Sequence, residues 1–71
     1  MDLTERERIL AEMKRIDAML YKNEQLFDLA YEETDIEALI YERRALSIRQ
    51  SALIVRAKEL GIKGEDLICR K

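Results

Sequence analysis

An all-α fold, an antiparallel two-helix hairpin that dimerises into a four-helix bundle, is the expectation raised by three features of this chain. The pair Ala-Leu occurs three times at a spacing of seven in "ALIYERRALSIRQSAL", Ala38 to Leu53, a period that places its members along one side of a helix. The chain has no Pro, and its two glycines, Gly61 and Gly64, lie near the C-terminus, so no such breaker interrupts the middle. Two Thr-x-x-Glu sequences, Thr4 to Glu7 and Thr34 to Glu37, each precede a periodic apolar segment and fit a capping box, in which hydroxyl and carboxylate satisfy backbone donors of a first helical turn.

These signals divide the chain into a hairpin over 1–62, with helices at about 5–31 and 35–60, and a short C-terminal tail over 63–71. In the first helix Ile9, Met13, Ile16, Leu20, Asn23, Phe27 and Ala30 follow one another in steps of four and three and form one seam. The second helix runs to Leu60, where Gly61 can adopt the left-handed conformation that ends a helix and Ile62 can fold back on the last turn. Each helix would be ~40 Å long at ~1.5 Å per residue. The short turn around Glu32 to Thr34 forces them antiparallel. Folding there sets Phe27 opposite Leu39, Leu20 opposite Leu46, Met13 opposite Leu53 and Arg6 opposite Leu60, with Asn23 facing Arg43. The sequence leaves the conformation of the tail, which carries Leu67 and Ile68, open, with a single helical turn favoured.

The second helix is apolar over more of its circumference than one neighbour covers. Leu39, Leu46, Leu53 and Leu60 lie on one side, Ala38, Ala45 and Ala52 next to them, and Tyr41, Ile48 and Val55 beyond. That arc spans roughly 200°, against the ~100° stripe a single packed helix needs. The small alanines let a second backbone come close. We therefore expect an interaction face of Ala38, Leu39, Tyr41, Ala45, Leu46, Ile48, Ala52, Leu53 and Val55. Met19 and Leu26 flank the seam of the first helix, and a second copy of the hairpin is the simplest cover for both flanks. A helix of another protein is the other occupant such a face suits. Glu42, Arg49 and Arg56 alternate with the alanines, and the fold-back places Arg49 beside Asp17 in an ion pair, since an unpaired buried guanidinium is costly; the alternative is that the long Arg stems lie over the apolar flank with their heads solvated.

Size points the same way. A chain of 71 residues rarely stabilises itself by its core alone, and one cysteine with no histidine offers neither a disulfide framework nor a zinc site. Oligomerisation remains. With 48% apolar and 39% charged residues the chain is neither disordered nor membrane-spanning in composition, and the charges among its first ten residues do not suit a signal peptide. A cytoplasmic protein is expected, with Cys69 a free thiol there.

Chemistry is sparse. The absence of His removes a histidine base, and glycine-rich phosphate loops are missing. Glu24, Asp28 and Glu32, with Glu33, Asp35 and Glu37, could supply oxygen ligands to a hard cation, but acids on a solvated helix face or at a helix start have a simpler cause. No enzyme activity, metal or cofactor is expected. Charge is uneven: residues 23–42 hold seven acids and no base, and 43–71 hold three acids and eight bases. The basic half, Arg43, Arg44, Arg49, Arg56, Lys58, Lys63, Arg70 and Lys71, supports a small nucleic-acid-associated regulator as the alternative function. The acidic pI and scattered tyrosines, Tyr21, Tyr31 and Tyr41, disfavour it. A non-enzymatic protein-protein interaction or oligomerisation module is the leading reading.

Phe27, Asp35, Leu39, the run Ile40-Tyr41-Glu42, Ala45, Arg49, Leu53 and the pair Ala57-Lys58 together resemble the YaaL-like family of small bacterial proteins, a domain of unknown function. The likeness covers Phe27 to Lys58 and departs after Arg49, where Gln50, Ser51 and Ala52 stand in place of an aromatic residue. It implies a cytoplasmic helical hairpin without a known activity. No functional residue is carried over from it.

Overall fold

The computed structural model describes residues 4–63. They form two helices packed against each other, α1 (Glu5–Leu29) and α2 (Glu33–Glu59), with no strand among the described residues. The expected helical turn around Leu67 and Ile68, and Cys69, lie outside this range.

Helix α1 starts at a complete capping box. Thr4 Oγ1 accepts the Glu7 N–H at 3.1 Å, and Glu7 Oε1 accepts the Thr4 N–H at 2.9 Å. The identical Thr34-x-x-Glu37 sequence does not cap α2. That helix begins earlier, at Glu33, with Glu32 as its N-cap and no side-chain cap bond, so Thr34 sits inside the first turn. The dipoles supply the reason. Glu33 and Asp35 in the first turn of α2 meet its positive end, whereas α1 has no basic residue in its last turn to favour its extension into the acidic run. The expected bounds of 5–31 and 35–60 are therefore corrected to Glu5–Leu29 and Glu33–Glu59, and the turn moves to Ala30–Glu32.

The other end of α2 closes as a Schellman motif. Gly61 has φ 77°, its N–H bonds Lys58 O at 3.1 Å, and the Ile62 N–H bonds Ala57 O at 2.9 Å. Ile62 is thereby turned back into the core. There it clusters with Ile9, Met13 and Ala57, with Leu10, Leu53 and Ile54 packed around them. Farther along, Ile16, Leu46 and Asn23 are buried and Leu20 and Leu39 half-buried. Packing thins toward the turn, where Phe27 is exposed.

Candidate interaction face

On α2 the residues turned toward α1 are Ile36, Leu39, Leu46, Gln50, Leu53, Ile54 and Ala57, all half-buried or buried. The expected interaction face therefore divides in two. Leu46 is 3% exposed, and with Leu39 and Leu53 it belongs to the seam inside the hairpin. These three leucines are a correction: antiparallel pairing with α1 already covers them. Ala38, Tyr41, Ala45, Ile48, Ala52 and Val55 are left, and every one is exposed. Tyr41, Ile48 and Val55 stand 71%, 62% and 57% exposed.

Those six residues succeed one another in alternating steps of three and four, the spacing of a second packing seam. At 3.6 residues per turn its midline lies roughly 160° around the helix from the α1-facing row. Helix α2 thus carries two seams on opposite sides, and α1 occupies one of them. Nearer the turn, a groove of about 380 Å³ continues the outer surface past Ala38, with Leu26, Leu29, Ala30, Asp35 and Leu39 completing its lining.

Polar contacts fix how the two helices align. Arg49 Nη2 reaches Glu12 Oε2 at 2.7 Å, and Arg56 Nη2 reaches Glu5 Oε2 at 2.6 Å, with Arg56 Nη1 also on Glu59 at 3.1 Å. The expected Asp17–Arg49 ion pair is not formed; Asp17 instead accepts from Gln50 Nε2 at 3.0 Å. Asp17 and Glu12 flank opposite sides of the α1 seam, and the column that carries Arg49 and Arg56 faces the one that carries Glu5 and Glu12. The recurrence of acids and arginines at a spacing of seven was the sequence signal for this ladder. Glu12 is also held by Arg15, at 2.8 Å. The hydrogen bond and then the charge of Arg15, followed by the attraction of Arg49, lower the Glu12 carboxyl from its ordinary value. Hydrogen bonds to Glu5 and then Glu59 raise Arg56 above its usual value.

Asn23 is 2% exposed. Its Nδ2 donates to Leu39 O at 3.0 Å and to Glu42 Oε1 at 2.9 Å. Glu42 is thus tied to α1 through an amide, in the column where Arg49 and Arg56 are tied through carboxylates. Among the described residues no three acidic or thiol side chains are grouped to hold a metal ion, and no helix is long and apolar enough to cross a membrane. No family model, curated protein or solved structure matches the chain.

Proposed function

We propose that this protein is a non-enzymatic interaction module, a helical hairpin that self-associates through the outer seam of α2. The observation that carries the reading is the unbroken exposed row Ala38, Tyr41, Ala45, Ile48, Ala52 and Val55, since large apolar side chains lined up at packing spacing are poorly accounted for by a solvated surface. Two hairpins joined there form a four-helix assembly with the copies of α2 innermost and each α1 outside, a row in place of the expected bundle, since the two seams of α2 lie on opposite sides. The alanines set close backbone approach, and Tyr41, Ile48 and Val55 supply the apolar area that leaves water. Binding to nucleic acid has less support, because Arg49 and Arg56 of the basic half are each paired with a carboxylate, Glu12 and Glu5.

Sedimentation equilibrium tests the proposal. The native chain is expected to sediment as a dimer at micromolar to sub-millimolar concentration, and Ile48→Glu as a monomer with an unchanged helical circular-dichroism spectrum. A native chain that remains a folded monomer throughout that range would refute self-association.

A further inference from the structure

We infer that the second copy packs antiparallel, with the two-fold axis crossing α2 between Ala45 and Ile48. This rests on the self-association proposed above and adds its direction and register. The argument is charge. Between 33 and 42 helix α2 carries Glu33, Asp35, Glu37 and Glu42 and no base; between 43 and 58 it carries Arg43, Arg44, Arg49, Arg56 and Lys58 and no acid. Two columns border the outer seam: Glu37, Arg44, Ser51 and Lys58 on one side, and Asp35, Glu42, Arg49 and Arg56 on the other. All eight residues are exposed.

Antiparallel coiled helices set each bordering column against its own copy, whereas parallel ones set it against the opposite column. With the axis between Ala45 and Ile48, Glu37 faces Lys58 of the copy, Asp35 faces Arg56 and Glu42 faces Arg49. Every charged pair is then of opposite sign; Arg49, Arg56 and Glu42 share theirs with contacts to α1, so the Glu37–Lys58 pair carries most of the selection. In the same register Ala38 faces Val55, Tyr41 faces Ala52 and Ala45 faces Ile48, so each large side chain lies over an alanine. A shift of one heptad in one direction brings Glu42 onto Glu42 and Arg44 onto Arg44; in the other it brings Arg49 onto Arg49 and Arg44 onto Lys58. Parallel pairing in register opposes Glu37 to Glu42 and Arg44 to Arg49. Direction and register are thus both selected by avoiding like charges, which oppose each other in each of the alternatives and not in the chosen arrangement.

Among the described residues Glu37 and Lys58 take part in no ion pair, so exchanging them tests the interface with little effect on the fold. Glu37→Lys and Lys58→Glu should each weaken the dimer about fivefold at low salt, as expected for two symmetry-related surface pairs turned repulsive. The double exchange should restore the native dissociation constant. In a parallel dimer Glu37→Lys would instead tighten association by removing the repulsion from Glu42. Spin labels at Thr34→Cys in a Cys69→Ser background give an independent measure. They should stand roughly 40 Å apart in the antiparallel dimer at about 1.5 Å per residue, and under about 20 Å in the parallel one. A dimer with the short label distance, or one the double exchange does not rescue, overturns this arrangement and leaves self-association intact. A monomeric native chain overturns both.

Discussion

At the scale of single residues, the least expected arrangement is an amide inside an apolar seam. Asn23 occupies a position where a leucine would pack, and it bonds a backbone carbonyl and the Glu42 carboxylate across the helix pair. Asn23→Ala removes both bonds and leaves a space behind. We expect a loss of about 1–3 kcal/mol by urea unfolding, and a smaller loss for Glu42→Ala, whose carboxylate is solvated. Equal stability of Asn23→Ala and the native chain would mean that the amide contributes nothing to the hairpin. Glu12 gives a prediction in pH. Its folded value is lowered from the ordinary one, so its contribution is present above the unfolded value and disappears as pH falls through the folded one. Unfolding curves for the native chain and Glu12→Gln should therefore differ at neutral pH and converge in acid. A gap that persists into strong acid would assign the effect to something other than ionisation. Sequence spacing located Asn23 on the seam without identifying its partners, and it paired Arg49 with Asp17. Fold-back identifies which level a residue faces; it does not say which side of that level a long, flexible guanidinium takes.

The helices show where local signals suffice and where they compete. Thr4 and Gly61 were readable because each stands alone at an end: the capping box and the Schellman turn have no rival nearby. Ile9, Met13, Ile16 and Leu20 were readable because only one face of α1 repeats with apolar residues. The turn was not. No Gly or Pro marks it, and the Thr34 signal is overridden by acids that favour the positive end of α2 over the negative end of α1. The two Thr-x-x-Glu sequences therefore separate by mutation. Thr4→Ala should cost about 1 kcal/mol, and Thr34→Ala should stay within about 0.5 kcal/mol of the native chain, with thermal unfolding as the measurement. Comparable losses at both sites would show that α2 is capped by Thr34 in solution. The same competition explains why the interaction face was only half legible. An arc of roughly 200° reads as one broad surface in a wheel, and only the position of α1 divides it into an inner row with Leu46 and an outer row with Ile48.

For the whole molecule, the question is how a chain of 71 residues with a core concentrated at one end is kept folded. Ile9, Met13, Ala57 and Ile62 make that end firm, while Phe27, Leu29 and Tyr31 stay exposed near the turn. Self-association would add apolar burial along the outer row of α2, which α1 leaves exposed. Folding is then linked to concentration, because anything that binds only the folded form raises apparent stability by mass action. The native melting temperature should climb steadily as protein concentration is raised through the dissociation constant. Ile48→Asp should melt at one temperature throughout, matching the native chain at the lowest concentrations because Ile48 makes no part of the inner seam. Leu46→Ala should behave in the opposite manner: a core truncation costs about 2–5 kcal/mol, lowering the melting temperature at every concentration while the outer row that would drive association is retained. Curves for the native chain that superimpose across the concentration range would place all of the stability inside one hairpin and leave the outer row of α2 without a structural task.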